Sequence, residues 1–326
     1  MNKRLFGLLL GLAVSGLFIW LTLRRVDLGE VARHAGEASL AILALTQVTK
    51  LTSVLFMTAR SRVVYGGLGD YTFGGLFRSI LVALSGNTVL PFRIGELLRV
   101  GYLSRTGGAA PATCLTGLAL ERLLDASCLV ILFFAVAPFT VLGAEVETSL
   151  FALAGALIVT LGSAIAVSRQ PEPFLALMDT LLSPLPEALT GKLRGPLARL
   201  VRGLSALSSP ASVIKVLLFS MGSWLCGAGS ILVWLYAFDL ALPWYAPFVV
   251  LFSISLGSFL PSSPSAIGTY HYFAVTALVL MGVDQDRATS VAVLGHVMAF
   301  VPFTILSLPI LLPDLARLWR ERQEAA

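Results

Sequence analysis

Six stretches of this chain stay apolar for about twenty residues or more: about 5–23, 40–59, 112–141, 149–168, 211–238 and 287–312. A helix of that length spans the roughly 30 Å hydrocarbon layer of a bilayer, so each stretch predicts one crossing. Two further apolar stretches cannot be uniform spans. In 73–105, Gly86, Asn87, Pro91 and Gly95 interrupt the run LSGNTVLPFRIGELLR. In 245–281, Pro261, Pro264 and Gly268 interrupt SLGSFLPSSPSAIGTYH. Proline removes a helical donor and glycine weakens a helix, so both stretches predict a helix, a break and a second helix. Irregular backbone at membrane depth persists where it is buried in protein or lines a wet cavity. The expected fold is an all-α integral membrane protein with about six transmembrane helices plus two re-entrant helical hairpins.

The order of these elements suggests an inverted repeat inside a single membrane domain, 1–326. Span, hairpin and span over about 40–142 recur over about 211–312. Gly86, Leu90-Pro91 and Ile94-Gly95 of the first half resemble Gly257, Leu260-Pro261 and Ile267-Gly268 of the second, at different spacings. Interrupted helices in inverted halves are a recurring transporter plan, with the site between the halves. The linker, about 169–210, holds six prolines and the cations Lys192, Arg194, Arg199 and Arg202. Leu193, Leu197, Leu200, Val201 and Leu204 fall among these at helical spacing. That pattern predicts an amphipathic helix resting on anionic lipid, or packed on the bundle.

Composition agrees. Hydrophobic residues are 57% of the 326 and charged residues 13%, with mean hydropathy +0.88. Soluble domains carry about 25% charged residues, so a soluble protein is excluded. The net charge of +5 does not point to nucleic acid, because the cations gather at the ends of the apolar runs. That is the positive-inside pattern. It places both termini, Arg60, Arg62 and the 192–202 segment on the cytoplasmic side of the inner membrane. Glu145, Glu147 and Asp239 then lie outside, and the two hairpins enter from opposite faces. Cys114, Cys128 and Cys226 lie in apolar segments without metal-ligand spacing. The chain has no HExxH, Walker A or GxSxG motif, so neither a metal, a cofactor nor enzymatic activity is expected.

The chemistry concentrates in two places. Arg93, Glu96 and Arg99 are three apart, and Glu121, Arg122 and Asp125 share a helix face. An unpaired charge at the bilayer centre costs ~3 kcal/mol or more, so these six groups are expected to converge. Two readings stand: an ion-pair lock, or a pocket for a lipid phosphate, which arginine grips with two parallel hydrogen bonds. Asn87 and Lys50, a cation in the middle of an apolar run, join the candidates. In the second hairpin, Ser262, Ser263, Tyr270 and His271 supply polar groups beside the breaks at Pro261, Pro264 and Gly268. His296 reads as a space-filling residue.

LPFRIGELLR, ALERLLD and LPSSPSAIGTY together resemble the lysylphosphatidylglycerol synthase transmembrane-region family of flippase-like membrane proteins. The resemblance covers nearly the whole chain. It implies a domain that moves lipids between leaflets, with matching positions at Arg93, Gly95, Glu96, Arg99, Glu121, Arg122, Asp125, Pro261, Pro264 and Gly268. Ser265-Ala266 stands where members often have two glycines, and His271 where they often have Glu. Loss of that acid weakens the case for a cationic aminoacyl headgroup. The expected function is flippase-like transport of an anionic phospholipid or polyprenyl-phosphate-type lipid. The alternatives are an intramembrane lipid or glycolipid transferase subunit, and a scaffold for a separate lipid-synthesis enzyme.

Overall fold

The structure is a computed structural model that describes residues 3–24, 26–90, 93–140, 144–183, 187–258, 260 and 263–324. Every regular element among them is helical. The chain begins with α1 (Lys3–Leu23), α2 (Leu28–Glu37), α3 (Leu40–Ala44) and α4 (Thr46–Tyr65). Two shorter helices, α5 (Phe73–Val89) and α6 (Ile94–Gly107), then fold back on each other. Next come α7 (Pro111–Val136), α8 (Ala144–Arg169), α9 (Pro171–Leu182) and α10 (Glu187–Gly203). The second half repeats the order: α11 (Pro210–Ala237), the antiparallel pair α12 (Ala246–Gly257) and α13 (Thr269–Leu280), and α14 (Gln285–Glu324).

Five segments are long and apolar enough to cross a membrane: Leu40–Tyr65, Pro111–Phe139, Phe151–Arg169, Pro210–Ala237 and Gln285–Ile310. They coincide with five of the six expected spans. The sixth falls in α1, whose described apolar part, Ala13–Leu23, is shorter than a span. The helix starts are local chemistry. Thr72 caps α5 by accepting from the Gly75 amide at 3.0 Å, and Ser209 caps α11 by accepting from Ser212. Pro111 and Pro210 open α7 and α11, where their missing donor would be unused anyway.

The first hairpin turns where Leu90, held extended by the following proline, leaves the helix. Arg93 then takes a left-handed conformation, φ 53°, and α6 starts. Gly86 and Gly95 do not break helices, contrary to expectation. Gly86 lies inside α5 and Gly95 at the start of α6, and here the two arms cross. A Cβ on Gly95 would sit 2.2 Å from the Ala83 carbonyl oxygen, and one on Gly86 would sit 2.6 Å from the Gly95 Cα. In the second hairpin α12 ends at Gly257, and a 3-10 turn, Pro264–Ala266, precedes α13. Gly268, φ 95°, touches α1 there; its Cβ would fall 2.5 Å from the Ser15 carbonyl oxygen. The expected breakers Pro91 and Pro261, and the candidate Ser262, lie outside the described residues.

The packing of one half has a counterpart in the other. α4 lies along α11 at the centre. The first hairpin's α5 packs on α14, and the second hairpin's α12 packs on α7. Hydroxyl pairs join the central helices: Thr49 with Ser230 at 2.7 Å and Ser53 with Ser223 at 2.9 Å, while the Trp234 indole donates to Thr46 at 3.2 Å. Such pairs hold helices together where apolar contact alone favours neither lipid nor protein. The linker helix α10 docks on α7, with Val201 buried and the Thr113 hydroxyl donating to the Arg199 carbonyl at 3.4 Å.

Candidate functional site

Five of the six expected ionisable groups converge, Arg93 standing apart at the hairpin tip, and Arg60 joins them. Arg99 of α6 is buried and donates to both oxygens of Glu121 on α7, at 2.5 and 3.2 Å. Ser61 of α4 links the pair, accepting from Arg99 at 2.8 Å and donating to Glu121 at 2.6 Å. Arg60, also on α4 and fully buried, donates to Asp125 of α7 and, at 3.1 Å, to Ser220 of α11. Its Nε lies 3.8 Å from Glu121. Arg122 pairs with Asp125 at 3.2 Å and with Glu96 of α6 at 3.8 Å. Three arginines thus face three carboxylates where four helices meet.

Sequence reasoning missed Arg60. Beside Arg62 at the end of an apolar run, it read as a cytoplasmic loop cation. Helix α4 instead carries on to Tyr65, which places Arg60 one turn inside. The signal lay in Arg62, two positions on and so on another side of the helix; it donates to the Tyr71 carbonyl in the loop.

In front of this cluster is a cavity of about 520 Å³ between the two hairpin tips, α4 and α14. Of the sequence candidates, Lys50, Asn87, Arg93, Glu96, Arg99, Arg122, Ser263 and Tyr270 line it. Glu121 and Asp125 stand behind, against the arginines. His271 is also set back; its Nδ1 accepts from the Gly268 amide at 3.4 Å and shapes the start of α13. His296 does more than fill space. Its Nε2 bonds the Ser265 carbonyl at 3.0 Å, holding the second tip to α14. Pro264 and Gly268 form the bend of that tip.

Among the described residues, two hydrogen bonds join the tips. Arg93 donates to the Ser258 carbonyl at 2.9 Å, and Ser265 donates to the Thr88 carbonyl at 3.0 Å. Neither Arg93 nor Lys50 makes an ion pair among the described residues. The Lys50 ammonium rests 5.6 Å from the centre of the Phe300 ring, a weak cation–π contact. The Asn87 side-chain oxygen, one Glu96 oxygen, the Arg122 Nε and two Arg60 nitrogens are buried without a hydrogen-bond partner among the described residues. Leu84, Leu260, Phe300 and Phe303 belong to the apolar part of the wall.

The family model described as "Lysylphosphatidylglycerol synthase TM region" matches residues 8–307. The chain belongs to that family. The lysylphosphatidylglycerol synthase TM region here runs from α1 into α14, so both hairpins, the charge cluster and the cavity lie inside it. Membership and the five apolar helices make this a multi-pass membrane protein of a lipid-related family. No curated protein matches the chain.

Proposed function

We propose that this family member is a flippase-like transporter that moves an anionic lipid between leaflets of the inner membrane. The observation that carries the reading is the pair of cavity cations, Lys50 and Arg93, that have no carboxylate partner among the described residues. Lys50 is half-buried and Arg93 is exposed to the cavity; a cation at membrane depth without a counter-ion is expensive, and a phosphate entering the cavity supplies one. The roles of the arginines therefore divide. Arg60 and Arg99, committed to Asp125 and Glu121, hold the first hairpin's surroundings together. Lys50 and Arg93 receive the headgroup, and Asn87, Ser263 and Tyr270 border it. The tails stay in the bilayer, and the protein makes or breaks no bond in the lipid.

The matched packing of the halves supports an inverted repeat of six crossings and two re-entrant hairpins. Tips that meet end to end suit hairpins entering from opposite faces, so that each closes the cavity toward one leaflet. The basic linker helix rests on the cytoplasmic surface, and both termini are cytoplasmic.

The test is a leaflet-resolved assay in proteoliposomes with several fluorescent anionic lipids. Wild-type protein should move at least one of them faster than empty vesicles do. Lys50→Gln and Arg93→Gln should each slow it about tenfold, the loss expected for one charge-assisted contact of ~1.5 kcal/mol. No movement above empty vesicles for any lipid, with folded protein, ends this reading.

A further inference from the structure

We infer that the cavity takes a headgroup carrying two negative charges on one terminal phosphate, a lipid phosphomonoester or diphosphate rather than a phosphodiester. The inference rests on the transport reading and names its substrate class. It comes from the charge balance of the site. At the back wall of the cavity and behind it Arg60, Arg99 and Arg122 meet Glu96, Glu121 and Asp125, each within 4.0 Å of a partner. That set is neutral as a whole. Glu96, Arg99 and Arg122 of that set also line the cavity, and Glu96 faces Arg93 as well as Arg122. With no fourth acid lining it among the described residues, Lys50 on α4 and Arg93 at the tip of the first hairpin leave the site two positive charges in excess. A phosphodiester brings one charge and leaves one cation of the pair uncompensated. A terminal phosphate brings close to two at neutral pH, with a second pKa of ~6, and three acceptor oxygens. Those oxygens suit an ammonium and a guanidinium approaching from different elements. The apolar wall of Leu84, Leu260 and Phe303 beside the cations makes the carrier of that phosphate a lipid rather than a free ion.

The experiment measures equilibrium binding of radiolabelled dioctanoyl lipids to the purified full-length protein in detergent at pH 7.5. Dioctanoyl phosphatidic acid is the dianion. Dioctanoyl phosphatidylmethanol, nearly the same size, is the monoanion. Glycerol 3-phosphate is the competitor without tails. The expected result is a preference of about tenfold or more for phosphatidic acid, one extra charge-assisted contact in a low-dielectric site. Lys50→Gln and Arg93→Gln should each reduce that preference to less than about threefold, while Lys50→Arg keeps it. Equal affinity of the wild-type protein for the two lipids overturns the dianion inference and leaves the anionic-lipid reading standing. Binding of neither lipid, or unchanged binding in both Gln variants, overturns the cavity reading itself. Displacement by glycerol 3-phosphate at concentrations equal to the lipid assigns the site to a soluble phosphate and overturns the lipid class.

Discussion

At the scale of residues, the buried cluster decides which substitutions matter. Arg99 and Glu121 are buried and doubly bonded. Removing one partner strands a charge, which costs on the order of 3–5 kcal/mol, whereas replacing both by apolar groups can be nearly neutral. Glu121→Leu should therefore shorten the lifetime of the folded protein in warm detergent far more than the pair Arg99→Met with Glu121→Leu. Equal damage from single and double variants would show the two residues to be uncoupled. Arg33→Ala serves as the control. Its bonds to Glu30 and Glu37, 2.6 Å each, are about half exposed and screened by solvent, so the change should leave that lifetime nearly as it was. The sequence announced most of this cluster, because charges three and four apart inside apolar runs have few places to go. It hid Arg60, because an arginine near the end of an apolar run looks the same whether the helix stops there or continues one turn. It also left open which arginines were occupied, since pairing across four helices is set by packing and not by spacing.

At the scale of elements, the first hairpin depends on the crossing of Gly86 and Gly95. A Cβ on Gly95 meets main-chain atoms, the Ala83 oxygen at 2.2 Å and the Asn87 nitrogen at 2.5 Å. The Asn87 side-chain oxygen at 2.7 Å could turn aside, but the two main-chain atoms cannot. Gly95→Ala should separate the arms of α5 and α6, abolish folded protein and move Arg99 off Glu121. Gly101→Ala in the same helix meets only the end of a long side chain at 3.5 Å. It should leave folding intact and add ~0.5–1 kcal/mol of stability. Yield of monodisperse protein after detergent extraction separates the two outcomes. A normal yield for Gly95→Ala would mean that the crossing is looser than described. From sequence, the same glycines read as helix breakers. Glycine both weakens helices and lets them approach, and only the partner helix reveals which property is in use. The prolines were more informative, for Leu90 leaves the helix where the residue before a proline should.

At the scale of the whole molecule, the proposed entry of the hairpins from opposite faces is open to a direct labelling test. Thr106, at the foot of the first hairpin, and Ala241, at the foot of the second, are both exposed. In a Cys226→Ala background, Thr106→Cys should react with a membrane-impermeant maleimide only from the cytoplasmic side. Ala241→Cys should react only from the other side. Cys114 and Cys128 are buried and should stay silent. Labelling of both positions from one side would rule out hairpins that enter from opposite faces. The apolar runs made the helical architecture legible, and the order of runs and breaks suggested two halves. The cross-packing of α5 on α14 and α12 on α7 was not legible, because contacts between distant segments leave no local pattern. Among the described residues, both bonds that join the tips run from a side chain to a main-chain oxygen, Arg93 to Ser258 and Ser265 to Thr88. Water can replace either donor one for one, so parting them leaves no acceptor stranded. A turn further back, the glycine crossing is backbone pressed on backbone and has no such substitute. The first hairpin is thus a stiff jaw with a soft bite, and in the proposed transport cycle the mouth would part first at the lips.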